Sequence, residues 1–154
     1  MKKILRTMLV LVALGACEKP QGGATYQTTP VKIIGAAGTY NLSLEVAKTE
    51  EEKARGLMFR ETLAPDAGMI FLYPKPQKIT MWMKNTPLSL DMVFVGSDHK
   101  ISGIITNTEP FSERLIESED PAIAVIEFNA GTAKRLGLAI GDVVEAAVLA
   151  PPVE

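Results

Sequence analysis

The chain has one cysteine, one histidine and one tryptophan in 154 residues. One cysteine excludes an internal disulfide. His99 is the only imidazole, and it follows Gly96-Ser97-Asp98 in a turn-like stretch. A zinc site needs three or four His, Cys or carboxylate ligands, and histidine acid–base catalysis needs positioned partners. Neither a metal nor a cofactor is therefore expected. Charge of one sign is also lacking: the formal net charge is −2, so nucleic acid is not an expected partner. No apolar run reaches the roughly 20 residues that cross a bilayer. Phosphate loops, nucleophile elbows, dinucleotide fingerprints and metalloprotease helices are all missing. Nine aromatics (Phe 5, Trp 1, Tyr 3) stand against 12 Gly and 10 Pro, a balance that predicts short elements and many turns.

What is present begins with an address. Lys2, Lys3 and Arg6 precede the apolar run Met8 to Leu14, and Gly15-Ala16-Cys17 follows. Charged, apolar and then small residues are the layout of a secretory signal. Leu14-Gly15-Ala16-Cys17 resembles a lipobox, and a lone cysteine at the cleavage point reads as a lipid acceptor rather than a redox group. The expectation is a signal over 1–16 and a lipidated Cys17 with a tether through residue 29. One domain would then span 30–149, with a tail at 150–154. The protein would be exported to the periplasmic face of a bacterial membrane and held there by its lipid. Glu18, where an Asp tends to retain lipoproteins in the inner membrane, favours the outer membrane of a Gram-negative cell.

Within the domain, Val31 to Ile34 and Thr39 to Ala47 read as a hairpin, because Tyr40, Leu42, Leu44 and Val46 alternate with polar residues. Thr49 and Glu52 form a capping box for a short helix that Gly56 stops. Strands are predicted over 68–73, with Pro74-Lys75-Pro76 as a turn, and over 78–83, 88–95 and 100–106, as a meander. Residues 107–121 read as a long irregular loop, followed by a strand at 122–128. A second short helix near Thr132 and a last strand at 143–149 complete the chain. The fold expected is mainly β: an antiparallel, barrel-like or strongly curved sheet with two short helices.

Polar residues punctuate the apolar stretches. Arg55 and Arg60 flank Gly56 to Phe59, and Trp82, Lys84, Asn85 and Thr86 close one strand. Asp91 interrupts 88–95, and Glu127 and Asn129 bracket Phe128. A carboxylate in an apolar strand carries a heavy desolvation cost unless partnered. One reading is a purely structural polar network. A second is a cleft for a small molecule or an envelope protein, lined by Arg60, Trp82, Lys84, Asn85, Asp91, Glu127 and Asn129. A third is a hydrolase with Asp91 and Glu127 as its acid pair. A fourth, less favoured, uses Met81 and Met83 as thioether ligands for Cu(I), although core filling is methionine's usual role.

The same stretches carry a resemblance. Arg55-Gly56-Leu57-Met58-Phe59-Arg60, Gly68-Met69-Ile70-Phe71, Trp82-Met83-Lys84-Asn85-Thr86, Leu90-Asp91-Met92-Val93-Phe94 and Glu127-Phe128-Asn129-Ala130-Gly131, with Gly141-Asp142, resemble domain-of-unknown-function family 192 in order and spacing. The resemblance covers about residues 40 to 148 and implies a compact β-rich domain, often exported or membrane-attached. It implies no activity. Met81 stands before Trp82 where an aromatic is more usual in the family.

Overall fold

Alternation, apolar runs and caps set the local elements; long-range pairing then decides the sheet. A computed structural model describes residues 25–149, so the expected signal, Cys17 and the tail at 150–154 lie outside the described residues. The elements are β1 (Thr28–Gly35), β2 (Gly38–Ala47), α1 (Glu50–Arg55), β3 (Gly68–Gln77), β4 (Thr80–Met81), β5 (Leu90–Val95), β6 (Ile101–Ile105), β7 (Ile116–Glu117), β8 (Ala122–Asn129), α2 (Thr132–Arg135) and β9 (Val143–Glu145). The protein is mainly β with two short helices, as expected. Its first strand starts two residues before the expected domain boundary, and Tyr26 is already buried.

The main sheet has the order β6-β5-β8-β3-β2-β1-β9. It is mixed rather than wholly antiparallel, because β2 and β3 run parallel with Val46 opposite Ile70. A parallel pair needs a long crossover, and α1 with the loop after it provides one. The capping box forms as expected: Glu52 N–H donates to the Thr49 hydroxyl at 3.1 Å, and Thr49 N–H donates to the Glu52 carboxylate at 2.9 Å. The backbone N–H groups of Thr49 and Lys48, both donating to the Glu52 carboxylate, hold that carboxyl below its ordinary range. Gly56 ends the helix at φ +44, where a Cβ would lie 3.0 Å from the Phe71 ring. The sheet curls until its two edges meet. Ile101 N–H donates to Asp142 O at 2.8 Å, and Val144 N–H donates to His99 O at 2.8 Å.

Of the expected meander the β5–β6 antiparallel pair forms, and the rest is replaced by longer-range pairing. β3 runs on through the two prolines, with an irregularity between Leu72 and Gln77, and pairs with β8. β4 leaves the main sheet and pairs with β7, which lies inside the stretch expected to be a long irregular loop. The last strand is three residues long rather than seven, because a turn follows Glu145.

β5 and β8 are buried along both faces, the pattern of strands covered on each side. The concave face packs Val31, Ile33, Leu44, Ile70, Val93, Ile126 and Phe128 into one core. The convex face carries Met69, Phe71, Met92, Phe94 and Val125, roofed by Leu57, Ile79, Met81 and Met83. Gly68 lets β3 approach β8 closely: a Cβ there would sit 2.5 Å from the Glu127 carbonyl oxygen. Among the described residues no helix is long and apolar enough to cross a membrane.

Candidate functional site

Two acids interrupt the buried strands, and register sends them to opposite faces. Asp91 lies opposite Phe128, whereas Glu127 lies opposite Met92 on β5 and Met69 on β3. Residues directly across a sheet share a face and successive residues alternate, so Asp91 joins the concave side and Glu127 the convex side. This corrects the expectation of an Asp91–Glu127 acid pair, because a sheet separates the two groups. Asp91 is fully buried and accepts hydrogen bonds from Asn107 N–H at 3.0 Å and Ala133 N–H at 2.9 Å. It ties the end of β6 to the first turn of α2.

Glu127 is 4% exposed; no hydrogen bond or ion pair from the described residues reaches its carboxyl, and since no fully buried side-chain oxygen among them lacks a partner, the carboxyl opens onto the surface of the cleft. Burial alone pushes that carboxyl up to about 8. It lies on the floor of a small cleft between α1, β3 and the segment around residue 82. The walls come from Leu57, Met58, Phe71, Met81, Trp82 and Thr86, with Lys53 and Arg55 from α1. About 30 Å³ of the cleft is open to water-sized molecules.

The surroundings fix several of these groups. Tyr73 O–H donates to Met81 Sδ at 3.8 Å. Burial, aided by the charges of Glu50 and Glu127, pushes the Tyr73 phenol up to about 12. Lys53 Nζ stands 4.5 Å over the Tyr73 ring and 2.6 Å from Glu50. Trp82 is 39% exposed, with Lys84 Nζ 5.0 Å above its ring. The turn beyond Trp82 is braced from both sides: Phe59 N–H donates to Asn85 O at 2.8 Å, and Phe111 N–H donates to Thr86 O at 3.0 Å. Phe59, Asn85 and Phe111 all hold positive φ (64, 53 and 60). Left-handed backbone at non-glycine residues costs on the order of 1–3 kcal/mol each and concentrates at functional sites.

Of the residues singled out from sequence, Trp82 and Glu127 line this cleft, and Lys84 covers its tryptophan wall. Asn85 borders it, with its amide donating to Met58 Sδ at 3.9 Å. Three others lie elsewhere. Arg60 forms a two-pronged ion pair with Glu45 on β2 and lies 5.7 Å from the Tyr26 ring. Asn129 donates to Leu63 O at 2.9 Å and Ala64 O at 3.2 Å, pinning the loop that follows α1. Asp91 faces the other core. Lys53, Met58 and Phe71 escaped sequence reading, because they come from a helix, a loop and a strand joined only by the fold. Met81 and Met83, the candidate copper pair, both pack in the convex core. Met81 lines the Glu127 cleft, while Met83 lines a separate groove with Asn107 and Arg114 and accepts from the Thr108 hydroxyl at 3.2 Å. No group of three His, Cys, Asp or Glu that could hold a metal occurs among the described residues.

Comparison with known proteins decides the family. The model of DUF192, described as "Uncharacterized ACR", matches residues 32–146. The chain belongs to DUF192. Two solved structures resemble this DUF192 chain. One, from Sinorhizobium meliloti 1021 and provisionally named a transcription regulator, is 44% identical with a TM-score of 0.78, covering 82% of this chain and 98% of that one. The other is a protein of unknown function from Novosphingobium aromaticivorans DSM 12444. It is 42% identical with a TM-score of 0.77, covering 82% of this chain and 89% of that one. No curated protein matches this DUF192 member.

Proposed function

We propose that this DUF192 member is a lipid-anchored cell-envelope domain that binds a small ligand, without catalysis, in the cleft floored by Glu127. One observation carries the reading. Burying a carboxyl is costly, and Glu127, which takes no hydrogen bond from the described residues, opens onto a cleft where Lys53, Arg55 and Thr86 join Leu57, Met58, Phe71, Met81 and Trp82. Concave sites where polar groups converge beside apolar walls are suited to ligands. A purely structural network would satisfy its acid, as Asp91 is satisfied on the concave face. The separation of the two acids supports binding over two-carboxylate hydrolysis. A net charge of −2 and the absence of a nucleic-acid motif give the transcription label of one neighbour no support.

The anchor reading rests on Lys2 to Cys17 alone. Expression with labelled fatty acid tests it. The wild-type chain incorporates label and fractionates with membranes, whereas Cys17→Ser does neither. Native mass spectrometry of the processed protein, purified after export, tests the cleft. A reproducible added mass that disappears in Glu127→Leu is the expected result. A bare polypeptide mass, together with no response to any small molecule screened, would remove the binding reading.

A further inference from the structure

We infer that the exposed aromatic tips around residues 82–86 rest in the surface of the bilayer, so that the lipid itself is the partner of this face. This rests on the anchor half of the reading above and names the face that the anchor brings down.

Exposure comes first. Among the described residues five large hydrophobic side chains are exposed, and Phe59, Trp82 and Phe111 are three of them. Phe59 and Phe111, 64% and 62% exposed, flank one segment: the N–H of Phe59 binds Asn85 O and the N–H of Phe111 binds Thr86 O. Leu115, also exposed, follows Ser112, whose carbonyl accepts from Met83 N–H at 2.9 Å. Hydrophobic residues exposed singly are ordinary, whereas a group of them marks an interaction site. Both phenylalanines also hold left-handed backbone, which a bulky side chain adopts only where its surroundings impose it. The fold accepts that strain at two rings that bury little of themselves.

Shape favours a fluid partner. Each of the three rings stands on a loop or turn, none on a strand or helix. A protein partner needs close shape complementarity. Separate tips enter a headgroup region without it, and tryptophan is enriched at that level. Charge is balanced nearby, with Arg60, Lys84 and Arg114 set against Glu61, Glu109 and Glu113 in the same stretches. The rings, rather than anionic lipid, therefore provide the attraction.

The tether identifies the occupant. Tyr26 is held where the described chain begins: its O–H donates to Gly56 O at 3.3 Å, and the Arg60 guanidinium lies 5.7 Å from its ring. Phe59 falls between Gly56 and Arg60, so the chain enters the domain beside the aromatic tips. Tyr26 is nine residues from Cys17, a stretch that reaches at most roughly 32 Å. A lipid on Cys17 keeps this entry point within that distance of the bilayer.

Trp82 is the only tryptophan in the chain, so its fluorescence reports this face alone. The test places the full processed protein in phosphatidylcholine vesicles, with and without bromine on the acyl chains, and repeats this with phosphatidylglycerol added. Brominated lipid should quench Trp82 by about twofold or more, as for a ring at the interface, and phosphatidylglycerol should leave the quenching unchanged. Phe59→Asn combined with Phe111→Asn should remove most of the quenching with far-ultraviolet circular dichroism unaltered, because asparagine accepts left-handed backbone. If the pair unfolds, each single variant is read in the same way. Ile140→Asn, at an equally exposed site before β9, should quench like the wild type. Absence of bromine quenching would overturn the inference, as would its persistence in the asparagine variants, its loss in Ile140→Asn or its dependence on phosphatidylglycerol. A concentration-dependent blue shift without bromine quenching would assign the face to a second copy and also overturn it. The fatty-acid label separates the two readings. Label without quenching keeps the anchor and sinks this inference, quenching without label does the reverse, and neither removes both.

Discussion

Asp91 and Glu127 sit on adjacent strands, one residue apart in register, and are buried to nearly the same degree. The concave face gives Asp91 two backbone donors from segments that converge there, Asn107 after β6 and Ala133 in α2. The convex face gives Glu127 none, because its roof is made of side chains: methionines, Phe71 and Trp82. Irregular backbone can satisfy a buried acid, whereas an apolar roof cannot. The first acid holds the fold together. The second faces a cleft, and burial there disfavours its charged form.

Breaking the satisfied acid should have the largest effect. Asp91→Ala leaves two buried N–H groups without an acceptor and loosens α2 from β6. We expect a loss on the order of 3–5 kcal/mol, since the bonds are charge-assisted and buried. Urea unfolding followed by circular dichroism measures it. A loss below about 1 kcal/mol would mean that water or neighbouring groups replace the carboxylate, and the contrast between the faces would weaken.

Relieving the unsatisfied acid should act in the opposite direction and only above acid pH. The unfolded carboxyl ionises near 4.5 and the folded one near 8. Below 4.5 both states hold the proton, and Glu127 carries no pH-linked penalty. As pH rises from 4.5 to 8, the unfolded chain releases its proton first, so stability falls by about 1.4 kcal/mol per unit from this group, levelling off above 8. Glu127→Gln should remove that slope and stabilise the protein by a few kcal/mol at pH 8, with little difference at pH 4.5. Parallel pH–stability curves for the two proteins would show that Glu127 has a partner.

How far these differences were readable in advance depends on the range of the interaction. α1 follows from Thr49 and Glu52, three residues apart, and β5 and β8 follow from apolar runs broken only by Asp91, Glu127 and the terminal Asn129. Local information suffices for both. The parallel β2–β3 pair, the departure of β4 to β7 and the run of β3 through Pro74 and Pro76 depend on partners more than twenty residues away. No periodicity reports those. The site shows the same division. Trp82 and Glu127 stood out as residues foreign to their runs, yet the parity that separates Asp91 from Glu127 is a property of strand register. Arg60 and Asn129 also stood out, but their polarity is consumed by Glu45 and by the carbonyls of Leu63 and Ala64.

Asn129→Ala sharpens the contrast on a smaller scale. It removes two side-chain bonds that hold the loop after α1 against the convex face. At the usual worth of a partly exposed neutral hydrogen bond the loss should be about 1 kcal/mol. Faster amide exchange confined to residues 57–67 would show that the roof of the Glu127 cleft opens independently of the sheet. Uniform acceleration across β8 would instead make Asn129 part of the global fold.

Trp82→Ala should have the smallest effect on stability and a large one on the cleft. The ring is 39% exposed and touches the Lys84 ammonium on its outer side, so its removal uncovers little of the convex core. We expect less than about 1 kcal/mol in unfolding, in line with other surface truncations. The same change takes away the wall beside Glu127 and admits water to its carboxyl. Greater hydration lowers the carboxyl's titration point toward 4.5, so the pH-dependent loss of stability should shrink along with ligand retention. A variant that keeps the full pH slope would show that Phe71 and the methionines alone desolvate Glu127, and that Trp82 serves the mouth of the cleft rather than its floor.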